Sequence, residues 1–188
     1  MIVVIGSPSA LARDGVVRAV GLSSLIAIAA AAHGRTVQLV GRLGDDGVAD
    51  AVLQDLARQG VGHVAVLRDP AHPTPADTAA DGSVADHPPT ATGLELEPED
   101  VELALRYLTD FAVVAVVGES GSVLAVVERA ASWGTSALVV VGGVVSDAQD
   151  AAGHLGPVAG ETSDAFARRV GDRLAALDAE AGPVRSVR

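Results

Sequence analysis

Short β-branched apolar runs alternate along this chain with longer segments whose apolar residues recur every three to four positions. The first pattern suits strands buried on both faces and the second suits helices with one buried face. Strands are predicted at about 2–5, 36–40, 63–67, 112–117 and 137–141, and helices at about 19–33, 46–59, 97–108, 121–133 and 162–178. Glu97, Glu99 and Asp100 fall in the first turn of the third helix, where the helix dipole favours anions. Strict strand–helix alternation with right-handed crossovers implies an α/β fold: a doubly wound, mainly parallel sheet of about five strands with helices on both faces. At 188 residues the whole chain, 1–188, reads as one such domain, and no internal repeat is visible.

One segment breaks the alternation. Residues 69–93, DPAHPTPADTAADGSVADHPPTATG, hold five of the nine prolines and little that could pack. A loop of that length in a compact domain reads as a mobile lid or a disordered excursion. His72, Asp77, Asp81, Asp86 and His87 are metal-ligand residue types, but nothing in their spacing fixes a common geometry, so a solvated loop without a metal is expected.

Composition narrows the chemistry. All thirteen basic residues are arginine, and the chain contains no lysine, asparagine or cysteine. Schiff-base lysines, cysteine nucleophiles, thiolate metal sites and disulfides are thereby excluded. A formal net charge of −11 disfavours nucleic acid and anionic membranes as partners. The longest apolar run, LIAIAAAA at 25–32, is too short to span a bilayer, and the opening MIVVIG reads as a strand with no leader before it. A soluble cytoplasmic protein is expected.

Candidate chemistry concentrates at the strand-to-helix junction GRLGDDGVADAVLQDLARQGV, residues 41–61. Such junctions are where α/β proteins bind ligands. Gly41, Gly44 and Gly47 do not fit GxGxxG, and a P-loop needs a lysine. Asp45 or Asp46 can equally cap the following helix, with Gly44 there to turn the chain. His33 and His63 sit at element edges and read as surface or packing residues.

The run from GLSSLIAIAAAAHG through RTVQLVGRLGDDGVADAVLQDLARQGV resembles the N-terminal signature of the PfkB, or ribokinase-like, family of sugar and nucleoside kinases. Gly21, the Ala-rich helix to Gly34, Gly41, Gly44, Asp46, Gly60 and Val61 fall on that pattern. A looser match continues through DGSV, LEPEDVELAL, DFAVVAVVGE and AVVERAASWGTSALVVVGG. The resemblance implies a sugar-like ligand near the strand ends, with Asp14, Gly21, Gly41, Gly44 and Asp46 as candidate contacts. It also implies ATP and Mg²⁺ as cofactors of an active member. A late Gly-Ala-Gly-Asp motif in the family supplies a backbone anion hole and a catalytic base. Its counterpart is GETSDAF at 160–166, with Asp164 in the base position and Thr162 and Ser163 at the phosphate position.

The departures from the family are as informative. Glu161, Thr162 and Ser163 replace the anion-hole glycines, the Asn-x-x-Glu of the magnesium site has no asparagine to draw on, and Leu25 and Val20 stand where the family has a substrate-binding asparagine and a glycine. Only sixteen residues separate VVVGG at 139–143 from GETSDAF, where the family builds most of its nucleotide site. Thr162 or Ser163 with Asp164 also reads as an ordinary helix start. Two functions compete: a shortened kinase using Asp164, ATP and Mg²⁺ under a 69–93 lid, or a scaffold without the reaction that binds a small ligand or a partner. Elements missing relative to the family would leave apolar surface for a second copy to cover, so a homodimer is expected.

Overall fold

A computed structural model describes residues 1–78, 93–119, 121–134, 136–142 and 153–182. In chain order the elements are β1 (Ile2–Ile5), β2 (Ser9–Arg13), β3 (Val16–Val20), α1 (Leu22–Ala31), β4 (Val37–Gly44), α2 (Gly47–Arg58) and β5 (Val61–Asp69). They continue with β6 (Ala76–Thr78), α3 (Pro98–Tyr107), β7 (Val113–Val117), α4 (Gly121–Gly134), β8 (Ala137–Val141), β9 (His154–Leu155) and α5 (Ser163–Ala181). Six strands form a fully parallel sheet in the order β5-β4-β1-β7-β8-β9. All five predicted strands lie in it, and β9, two residues pairing Val140 and Val141, extends its edge.

The central strands are buried on both faces, so alternate residues serve two cores. Ile2, Val4, Val113 and Ala115 pack with α1, α2 and α5, whereas Val3, Ile5, Val114 and Val116 pack with α3 and α4. That is why β1 and β7 read as continuous apolar runs. Gly171 of α5 lets this helix lie against α1: a Cβ there would stand 2.6 Å from the Ala29 Cβ and 2.9 Å from the Ala30 backbone nitrogen. The far end of α5 is pinned to the start of β1, where the Met1 ammonium donates to Asp178 Oδ1 at 2.9 Å and Arg35 lies 3.7 Å from Oδ2.

A second sheet, order β3-β2-β6, joins an antiparallel hairpin to a strand parallel with β2. The hairpin turns on Asp14 (φ 51°) and Gly15 (φ 75°), a pair of left-handed residues that matches strand twist in a two-residue turn. Residues 19 and 20, expected at the start of the first helix, instead finish β3. Val20 pairs with Ser9, the Ala19 N–H donates to the buried Asp55 carboxylate at 2.9 Å, and Gly21 at φ 87° breaks into α1.

Part of the proline-rich segment is built in. Thr74 is buried, Ala71 and His72 hydrogen-bond Asp69, and Ala76–Thr78 pair with β2. Residues 79–92, including Asp81, Asp86 and His87, lie outside the described residues, as does most of the expected lid. Among the described residues no cluster of three or more His, Asp or Glu is placed to hold a metal, and no helix is long and apolar enough to cross a membrane.

Candidate ligand-binding site

From β1 the chain winds through α1 to β4 and α2 to β5, while on the other side it winds through α3 to β7 and α4 to β8. The winding direction reverses between β1 and β7, so their carboxyl ends open the crevice where doubly wound sheets take ligands. Both strands end in a glycine with positive φ, Gly6 at 152° and Gly118 at 66°. At Gly6 a side chain would press on the Ser23 Cβ at 3.0 Å and the Val117 carbonyl at 3.1 Å, so only glycine lets the chain leave β1 along this path.

Ser7, the next residue, is a junction. Its hydroxyl accepts from the Arg42 N–H (3.0 Å), its carbonyl accepts from the Ser23 hydroxyl (3.1 Å), and its N–H donates to the Glu119 carboxylate just beyond β7. Burial pushes the Glu119 carboxyl up, the Ser7 N–H works against that, and the charge of Glu95 adds to the rise. A partly desolvated acid at a switch point is a candidate contact for a polar ligand. The sequence reading passed over Glu119. The signal was available in VVAVVGES, a carboxylate placed directly after an apolar strand and its terminal glycine.

Helix α1 opens at the same end. Gly21 offers no capping side chain, so among the described residues the first-turn amides of Leu22, Ser23 and Ser24 meet none. Two fully buried hydroxyls, those of Ser9 and Ser24, have no hydrogen-bond partner among the described residues, and Ser9 Oγ lies 3.1 Å from where a Gly21 Cβ would be. Buried hydroxyls are normally satisfied, so these two are open valences beside a helix start.

Other sequence candidates lie close by but are engaged by the chain itself. A Gly41 Cβ would strike Pro8 Cδ at 2.8 Å, and a Gly44 Cβ would strike the Thr74 backbone nitrogen at 2.4 Å. The two glycines therefore admit the 6–8 and 72–74 segments. Asp46 caps α2 through the Ala49 N–H (2.8 Å) and clamps Thr74 through its N–H (2.8 Å) and hydroxyl (2.7 Å). Partial burial works to raise its pKa, but these donors outweigh it and hold the carboxyl below its ordinary value. Arg42 pairs with Asp100 and lies 3.9 Å from Asp69, tying α3 to the ends of β4 and β5. Asp14 is not brought to this group: its carboxylate is 89% exposed at the hairpin tip, five residues out from the Ser9–Val20 base. His33 lies at the surface, 2.8 Å from Asp172, and His63 sits near the start of β5.

The start of α5 faces the same crevice end. Met1 and Asp178 are paired, and from there Asp164 is fourteen residues back along α5, about 21 Å at helical rise. Ser7 is six residues along from Met1, about 20 Å in extended chain. Asp164 thus stands roughly level with Ser7. Thr162 caps the helix, its hydroxyl accepting from the Ala165 N–H at 3.2 Å, and Ser163 begins it. Glu161 folds back: its carboxylate accepts from Arg169 (3.0 and 3.1 Å) and the Val158 N–H (3.0 Å), and the Arg169 contact leads in lowering its pKa.

This chain is similar in fold to solved structures. It matches an Escherichia coli ribokinase II solved with ATP and Mg²⁺ at 16% identity, TM-score 0.56, over 80% of this chain and 55% of that one. It matches an Arabidopsis thaliana ribokinase complexed with ribose and ATP at 19% identity, TM-score 0.55, over 77% and 54%. A PfkB protein from Polaromonas sp. JS666 gives 19% identity and TM-score 0.61 over 92% and 72%. The fold is ribokinase-like. The chain spans about half the length of the two ribokinases. No protein-family model and no curated protein matches it.

Proposed function

We propose that this chain is a shortened PfkB-type protein that binds a small sugar-like polyol at the β1–β7 crevice, with phosphoryl transfer impaired or lost. The observation that carries the reading is the meeting, at one end of the sheet, of a partly buried acceptor, Glu119, with the uncapped amide donors of α1. A vicinal diol can donate to the first and accept from the second, and its neutrality avoids placing an anion beside Glu119 and Glu95. The ribokinase-like fold supports the ligand class, since one neighbour is an Arabidopsis ribokinase complexed with ribose and ATP.

The residues present do not fit ATP and Mg²⁺. Where the family motif offers bare amides to a phosphate, Thr162 already takes the Ala165 N–H and Glu161 sets a carboxylate beside the turn. Losing one anion-hole donor alone typically lowers a rate about 10²- to 10³-fold. The alternative is a minimal kinase with Asp164 as base, favoured by the level at which Asp164 stands. Calorimetric titration with ribose, fructose and adenosine tests the binding reading. Glu119→Gln, which keeps the shape but removes the charged acceptor, should weaken a bound polyol about tenfold or more. No binding by any polyol, or binding indifferent to Glu119→Gln, would contradict it.

A further inference from the structure

Aspartate followed by glycine is a backbone step open to self-modification, because glycine sets no Cβ in the way of its own nitrogen when that nitrogen attacks the preceding carboxyl. The chain has three such steps, Asp14–Gly15, Asp46–Gly47 and Asp81–Gly82, and no asparagine, so deamidation cannot reach the same product. The third lies outside the described residues. The first two meet opposite surroundings. Asp46 is immobilised: its oxygens accept from the Ala49 N–H (2.8 Å), the Thr74 N–H (2.8 Å) and the Thr74 hydroxyl (2.7 Å), so that clamp must break before the carboxyl can turn to the Gly47 nitrogen. Asp14 is held by far less. Its carboxylate is 89% exposed, and Arg13, 3.6 Å away and itself 41% exposed, is a neighbour that solvent largely screens. Nothing lies within 4 Å of where a Gly15 Cβ would stand. Asp14 also sits at φ 51°, one of two non-glycine residues at positive φ among the described residues, a conformation that costs a residue with a Cβ. The tip therefore opens at little cost.

We propose that the Asp14–Gly15 turn is a spontaneous modification site, where aspartate closes to a succinimide and reopens in part as isoaspartate, while the clamp on Asp46 protects Asp46–Gly47. The Gly15 nitrogen bonds to Asp14 Cγ, and its proton leaves with the carboxyl OH as one water, closing a five-membered ring. A second water opens it. Attack at Cγ restores aspartate, whereas attack at the α-carbonyl leaves the chain running through Cβ and Cγ, with no net change in mass. The consequence is local. Two left-handed residues suit a two-residue hairpin turn, so the added backbone atom is incompatible with it and breaks the adjacent Arg13–Val16 pair of β2 and β3. The aged chain becomes a substrate for the class of enzyme that methylates isoaspartyl carboxylates from S-adenosylmethionine.

The wild-type chain is aged for weeks in mildly acidic buffer, folded and, in parallel, in concentrated urea. Isoaspartate is quantified site by site by mass spectrometry and by enzymatic methyl transfer from S-adenosylmethionine to the separated peptides. In the folded chain at least about tenfold more isoaspartate is expected at Asp14 than at Asp46, since a fraying tip opens at little cost whereas the clamp must break first. In urea the two sites should react alike. Asp14→Glu, checked for wild-type circular dichroism, keeps the charge but cannot close a five-membered ring, so methyl transfer to its peptide should vanish. Equal yields at Asp14 and Asp46 in the folded chain overturn the proposal. So does an Asp14 that stays unchanged in the folded chain while converting in urea, or a difference between the two sites that persists in urea.

Discussion

Replacing Asp46 with alanine removes three hydrogen bonds at once. Oδ1 caps α2 through the Ala49 N–H and accepts from the Thr74 hydroxyl, while Oδ2 accepts from the Thr74 N–H. An N-cap lost to alanine costs about 1 kcal/mol. Thr74 is buried, so its stranded N–H adds about 1–3 kcal/mol of unrecovered desolvation. The expected total is about 3 kcal/mol, with Asp46→Asn losing roughly half because its amide keeps the cap oxygen but presents NH₂ to the Thr74 N–H. The sign with pH follows from the direction of the shift. The folded carboxyl titrates below its ordinary 3.8, so its contribution is present above that value and is lost as pH falls through the lower folded pKa. Urea titrations of wild type, Asp46→Ala and Asp46→Asn at neutral pH and near pH 3 measure this, with an unchanged slope as the check on two-state behaviour. An alanine variant within about 1 kcal/mol of wild type at neutral pH would refute the clamp.

Glu119→Gln should leave stability unchanged or raised at neutral pH while weakening ligand. Burial lifts the folded pKa above its ordinary 4.5, so the folded state is penalised as pH rises through that shifted value, and glutamine removes the penalty. Thermal melts from pH 4 to 8 should be flatter in the variant than in wild type, and parallel curves would contradict the assignment. Gly171→Ala should destabilise by about 1–3 kcal/mol, because its Cβ would overlap Ala29 and Ala30 of α1, and a neutral result in urea titration would mean that the two helices are not in contact there. Asp14→Ala at the hairpin tip should leave polyol affinity unchanged by calorimetry, its carboxylate being solvated and five residues from the hairpin base.

What the sequence made legible follows from how strongly each element is encoded locally. The five predicted strands and five helices appear with ends shifted by no more than four residues, because each carries a sustained period of its own. The small sheet was less legible. Strands β6 and β9, of three and two residues, exist through pairing with β2 and β8 rather than through any local pattern. The hairpin did carry a signal, Asp14-Gly15 between LAR and VVRAV, that a reading fixed on helical period at residue 19 overlooked. At the site, Gly41 and Gly44 show why glycine motifs are ambiguous: the missing Cβ reads the same whether a ligand or, as here, another stretch of chain fills the space. Glu119 was missed because its role depends on β7 ending beside β1, a long-range fact.

The central claim, a retained ligand crevice without efficient phosphoryl transfer, is tested most directly by coupled ADP release with MgATP over a panel of sugars and nucleosides, run beside Asp164→Asn. The account predicts no turnover in wild type beyond that of the variant. Robust turnover with any substrate, abolished by Asp164→Asn, would contradict it.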